Sequence, residues 1–270
     1  MFARTARPSF FQPVLLLVLQ AAALWPIWVW YVHRIGDGSD EPWGLLALAA
    51  VLLLAFGERD NLNEEPRPAL LLAAGALTVL GASVTSWVPA LVRAGLGVTA
   101  LGLCFTAIHN RSRPLAPLMA LLLLSLPVIA SLQFYAGYPL RAVTAWCSSG
   151  LLRLAGLAVE QSGASLTWMG RVVLVDAPCS GIHMLWVGMF LTALLSYFMR
   201  AGLLRFLLNG SIAVVLLIAG NVLRNTVLFV KESGLVPLPE WTHSAVGIAL
   251  FVATSLLISL IVCGRQRAHQ

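Results

Sequence analysis

Phe206-Leu207-Leu208-Asn209-Gly210-Ser211-Ile212-Ala213-Val214-Val215-Leu216-Leu217-Ile218-Ala219-Gly220-Asn221-Val222-Leu223-Arg224 decides the architecture. The stretch carries one charge, at its last position, and as a helix it is long enough to cross a hydrocarbon core of about 30 Å. Working outward, further apolar runs lie near 13–32, 43–57, 69–87, 89–108, 115–135, 182–199 and 243–263. Together they predict an all-α, polytopic transmembrane bundle of about eight spans. Residues 1–270 read as a single membrane domain with no room for a separate soluble one.

Composition agrees with the spans. Hydrophobic residues make up 59% and charged residues 10% of the chain, and mean hydropathy is +0.88. Soluble proteins carry about 25% charged residues. A chain this poor in charge cannot cover a water-facing surface, and lipid removes the need. The net charge of +6 comes from 17 basic residues scattered through short loops, with no basic run to suit nucleic acid. A positive-inside bias accounts for them better. With the N-terminus inside, ten of the 17 fall on the cytoplasmic side and every cytoplasmic loop carries an arginine pair. Both termini are therefore expected in the cytoplasm. The Ala21-Ala22-Ala23 run faintly resembles a signal-peptidase site, but the apolar stretch continues to Val32 and reads as an uncleaved first helix.

The long non-spanning region is 136–181. Its first part, Leu140 to Val159, reads as a helix lying at the outer interface. Its second part, Leu166 to Val175, reads as a short β-hairpin turning at Met169-Gly170. Cys147-Ser148-Ser149-Gly150 falls in the interfacial helix. Of the four cysteines, Cys104 and Cys263 sit in apolar runs, while Cys147 and Cys179 could pair in an oxidising compartment. No CxxC spacing supports zinc, and neither a metal nor a cofactor is expected. His33, His109 and His269 read as solvated.

Three polar segments stand out at span ends. Asp176-Ala177-Pro178-Cys179-Ser180-Gly181-Ile182 puts a thiol just before the sixth span, where the positive end of a helix dipole favours thiolate. Gly220-Asn221-Val222-Leu223-Arg224-Asn225 ends the seventh span with a guanidinium that must pair, reach water or bind an anion. Trp241-Thr242-His243-Ser244-Ala245-Val246-Gly247 opens the eighth with the side chain best suited to exchange protons near neutral pH. By the charge count, all three reach the same outer face. A thiolate, a fixed cation and a proton-transfer group are the parts of a thiol acyl-transfer site.

Cys-Ser-Gly-Ile, Asn-x-x-Arg and Trp-x-His-x-x-x-Gly, in that order on an eight-span chain, resemble the exosortase/archaeosortase family over about residues 11–263. The resemblance implies a cysteine transpeptidase of the bacterial inner membrane, of the kind associated with exopolysaccharide production and protein sorting. It would cleave substrates bearing a C-terminal sorting signal, a short motif followed by a hydrophobic span and a basic tail. It also implies Cys179 as nucleophile, Arg224 as oxyanion or substrate stabiliser and His243 as proton-transfer group.

Supporting candidates are Asp176, Ser180, His183, Asn221 and Asn225. Asp176 could orient His243, bind the substrate's amine or cap the sixth helix. Asn221 and Asn225 could hydrogen-bond Arg224 or its ligand, or tie helix to helix. His183, one turn after Cys179, competes with His243. The alternative to an enzyme is a transporter, or an assembly subunit, using Arg224 and His243 for anions or protons. HExxH, Gly-x-Ser-x-Gly and paired intramembrane aspartates are absent from the sequence.

Overall fold

The computed structural model describes residues 11–38, 40–62, 66–84, 87–109, 114–237 and 239–267. These form two compact units, residues 1–128 with 200–203, and residues 129–199 with 204–270.

The first unit holds α1 (Phe11–Ala23), α2 (Trp25–Gly36), α3 (Trp43–Gly57), α4 (Pro68–Ser83), α5 (Ala90–Ile108) and α6 (Leu115–Leu124). The expected first helix is broken, with α1 and α2 meeting at 62°. Pro26, at the start of α2, has no N–H to continue the ladder. The Trp28 indole donates across the break to the Ala21 carbonyl at 2.8 Å. Helix α5 is the inner element: Ala94, Val98, Ala100 and Cys104 are buried, and glycines at 97 and 102 let Ile27 and Met119 pack against it. Arg67 caps the C-terminal end of α5 by donating to the Thr106 carbonyl, where helix carbonyls favour a cation. His109 is not solvated as expected. It is 3% exposed, stacks on Phe105, and its Nδ1 meets the Phe105 carbonyl at 2.8 Å.

The second unit holds α7 (Ile129–Leu154), the strands β1 (Glu160–Ser162), β2 (Ser165–Trp168) and β3 (Arg171–Leu174), and then α8 (Ile182–Phe198), α9 (Leu203–Glu232) and α10 (Trp241–Arg267). The strands form an antiparallel sheet in the order β1-β2-β3. Met169 and Gly170 both have positive φ and link β2 to β3 with a two-residue turn of matching twist. The third strand, β1, had no distinct sequence signal.

One boundary moves by more than two helical turns. The chain breaks at Ser125–Val128, and α7 then runs unbroken through 136–139, where the sequence suggested a span end. The 140–159 segment is therefore no separate interfacial helix. Pro127, which has no N–H to continue the ladder, follows the end of α6, and at this break the Tyr31 hydroxyl donates to the Ser125 carbonyl at 2.9 Å. Gly44 on α3 approaches that same carbonyl so closely that a Cβ would overlap it. Pro139 stays inside α7.

Among the described residues three helices, α5, α9 and residues Trp241–Gly264 of α10, are long and apolar enough to cross a membrane, or up to five if each bent pair counts as one span. Helices α3, α4 and α8 are apolar but shorter. Large side chains such as Leu53, Leu72, Leu204 and Leu260 are about 70% exposed or more, which is the surface of a multi-pass membrane protein rather than of a soluble one.

Candidate functional site

Every site residue named from sequence lies in the second unit. Cys179 sits in a one-turn 3-10 helix, Ala177–Ser180, that ends at Gly181. Gly181 has φ +85°, a left-handed conformation that an L side chain rarely takes. A Cβ there would also lie 2.8 Å from Asn221 Cγ, so the missing side chain lets α9 press against the turn. Below it, Val175, Cys179, Leu166, Ala145, Leu152 and Phe229 share one buried cluster. The small sheet is thus part of what encloses the cysteine.

The backbone of Cys179 is clamped. Its carbonyl accepts Asn221 Nδ2 at 3.1 Å and Asn225 Nδ2 at 3.3 Å, two residues one turn apart on α9. Asn221 Nδ2 also reaches Thr144 Oγ1 at 3.2 Å. Gln133 holds the turn from α7: its Nε2 donates to the Ala177 carbonyl at 3.1 Å, and its Oε1 accepts the Ser180 hydroxyl at 3.1 Å. The asparagines therefore fix the cysteine turn rather than Arg224. Asn221 Oδ1 is buried without a hydrogen-bond partner, and Asn221 lines a narrow cavity with Thr144, Ser180 and Gly181. That cavity can take a water or another donor.

Arg224 is half-buried on α9 between the two asparagines. Its Nε is buried without an acceptor. Gly247 on α10 makes room for it, since a Cβ there would stand 3.2 Å from Nε. His243 lies one turn before Gly247, on the same face of α10. Its Nδ1 is 3.3 Å from Glu232 Oε1 at the end of α9, and Lys231 Nζ donates to the Glu240 carbonyl across the same loop. His183 occupies the first turn of α8, half-buried. Asp176 is exposed and makes no side-chain capping hydrogen bond.

The thiol departs from expectation. Burial pushes the Cys179 thiol above its ordinary range, and this outweighs the Arg224 charge that pulls it down; Glu232 and Asp176 push it further up. Cys179 is 9% exposed, so desolvation of the thiolate prevails over any favourable helix end. Alkylation of Cys179, with the other cysteines replaced, is expected to show a midpoint above the free-thiol value of about 8.5. Arg224→Gln should move it higher, because an attractive charge is removed. Asp176→Asn should move it lower. A midpoint at or below 8.5 would refute this ordering. Cys147 and Cys179 are both free thiols.

Sequence reading missed Gln133, Thr144, Ser148 and Glu232. The first three recur with Gly137 on one face of α7, at helical spacings of four, eleven and fifteen residues from Gln133. That stripe was the available signal, hidden by reading α7 as two pieces. Ser148 Oγ donates to the Val222 carbonyl at 3.2 Å, which ties α7 to α9. Glu232 had no signal, since only the loop between α9 and α10 brings it to His243. Among the described residues no group of three or more His, Cys, Asp or Glu could hold a metal ion.

The family model described as transmembrane exosortase (Exosortase_EpsH) matches residues 35–260, most of the chain. The chain belongs to the transmembrane exosortase family. The matched range includes Cys179, Arg224 and His243 with all of the residues that hold them. No curated protein and no solved structure matches the chain.

Proposed function

We propose that this transmembrane exosortase is a cysteine transpeptidase or protease acting on the C-terminal sorting signals of exported proteins. Cys179 gives its thiol proton to His243, and the thiolate attacks the scissile carbonyl, forming a C–S bond and a tetrahedral oxyanion that the Arg224 guanidinium stabilises. Collapse breaks the C–N bond. His243 supplies the proton to the leaving amine, and the substrate's N-terminal part stays on Cys179 as a thioester. An amine or water then attacks the thioester, giving its proton to His243, and Cys179 leaves as thiolate. Glu232 accepts from His243 Nδ1 and so leaves Nε2 to handle the proton.

The observation that carries this reading is the clamp on Cys179. The helix whose asparagines grip the cysteine's carbonyl is the helix that supplies Arg224, and the Arg224 charge acts on the thiol. A buried thiol, neutral at rest, needs a proton acceptor and a nearby positive charge to ionise, and His243 and Arg224 are the groups that fill these roles in this reading.

The long helices, the two bent pairs and the three shorter apolar helices make eight crossings in this reading. Each of the shorter helices is completed by flanking residues. Both termini then lie in the cytoplasm of a bacterium, and the site opens on the outer side of the inner membrane, where anchored substrates arrive.

The test is to catch the thioester. Full-length protein mixed with an anchored substrate and quenched in acid should gain the mass of the substrate's N-terminal part on Cys179, removable by hydroxylamine. Continued processing with no adduct on that residue would sink the thioacyl route.

A further inference from the structure

The first unit contains a cavity of about 160 Å³ at the bend between α1 and α2, walled by α4 and α5. Leu24, Ile27 and Leu77 supply apolar wall, Gly81 keeps it open, and Arg93 is the one ionisable group among its described lining residues. Arg93 lies within a helix apolar enough to span a membrane. Its Nε is buried with no acceptor.

The neighbouring polar groups do not relieve it. Thr78 Oγ1 accepts Gln20 Nε2 at 2.6 Å and donates to the Ala74 carbonyl at 2.9 Å, and neither bond goes to Arg93. A permanently charged guanidinium in such a place is costly without an anion. Here the anion's seat is an apolar hollow with room for a phosphate group and the first methylenes behind it.

We propose that this cavity binds the phosphate head of a membrane phospholipid. The Arg93 guanidinium would hold the phosphate oxygens through charge-assisted hydrogen bonds, while the walls at Leu24, Ile27 and Leu77 take the methylenes next to the head. Among the cavity's described lining residues no acidic side chain is present to serve as the anion. Free inorganic phosphate fits poorly, because the apolar walls would strip its hydration and return nothing for it. A lipid phosphate brings apolar surface with it. The site is in the other unit from Cys179 and does not depend on the thiol chemistry.

The full-length protein, purified and stripped of lipid in detergent, would be titrated with phosphatidylglycerol, with diacylglycerol of the same chains, and with inorganic phosphate. Native mass spectrometry and the melting temperature are the readouts. Phosphatidylglycerol should bind and raise Tm, and the other two should not. Arg93→Gln should weaken binding about tenfold, the loss of one charge-assisted hydrogen bond. Gly81→Leu fills the hollow from a position whose Cβ meets nothing nearer than 3.8 Å, and should abolish binding with the guanidinium intact. Protection of Cys104, buried on α5 in the same unit, from alkylation in both variants reports that this unit is still folded. Equal protection by diacylglycerol would mean an apolar fit alone, and equal protection by inorganic phosphate a soluble anion site. Either result, or unchanged binding in Arg93→Gln, overturns the proposal.

Discussion

Cys179→Ala is expected to end processing of membrane-anchored substrates, with a loss of about 10⁴-fold or more, as removal of a covalent nucleophile does. Alanine leaves the backbone unchanged, so the carbonyl held by Asn221 and Asn225 stays held. The loss would therefore report the thiol and not the turn. Arg224→Gln keeps a hydrogen-bond donor but no charge, and should cost about 10²–10³-fold, the range for a lost oxyanion donor. Cys147→Ala should leave processing intact, because Cys147 is a free thiol facing a groove between α7 and α9. The measurement is the size of anchored candidate substrates in a host carrying each variant, with the amount of enzyme in the membrane determined alongside. Normal product sizes with Cys179→Ala at normal abundance would remove the enzyme reading altogether.

Gly181→Ala should also be damaging, for a reason that has nothing to do with reactive groups. The residue's φ of +85° alone costs an L side chain about 1–2 kcal/mol. The added Cβ would also stand 2.8 Å from Asn221 Cγ and 2.9 Å from its Nδ2, which is the nitrogen that holds Cys179. Relief of that contact must move the asparagine, the turn or both. A displacement of about 1 Å at a reacting group costs about 10²-fold, and that is the expected fall in processing. Gly170→Ala is the matched control. Its φ is also positive, but a Cβ there meets nothing within 4 Å. It should lower stability by the same backbone strain and leave the reaction alone. Equal activity in the two variants would show that the clamp on Cys179 is not needed.

Much of the helical pattern was legible because hydropathy acts one segment at a time. The runs at 89–108, 206–224 and 243–263 became α5, α9 and α10, each extended or trimmed at its ends. Proline was read less well. Pro127 breaks a helix and Pro139 does not, although both lack the same N–H. At the break before Pro127 a distant tyrosine takes part: the Tyr31 hydroxyl donates to the Ser125 carbonyl, and the sequence around Pro127 holds no trace of it. His109 was misjudged similarly, because a histidine after a helix is normally wet. Its stacking on Phe105 is a consequence of packing.

The polar motifs divide along the same line. That Cys179, Arg224 and His243 stand at the ends of their own apolar runs follows from sequence alone, since lipid admits such groups at few other places. Their company does not follow from it. Asn221 and Asn225 grip a carbonyl and not the arginine, and Glu232 reaches His243 only through the fold of the α9–α10 loop. The resting state of the thiol was also decided by tertiary structure. A helix end favours thiolate locally, but enclosure by the sheet, α7 and Phe229 removes water from the sulfur, and desolvation is the larger effect. The sequence by itself determined a chain that lives in lipid and the few residues that lipid would not hold idle. Only the folded chain decided which of them touch, because hydrogen bonds and burial depend on distances between segments that no local pattern encodes.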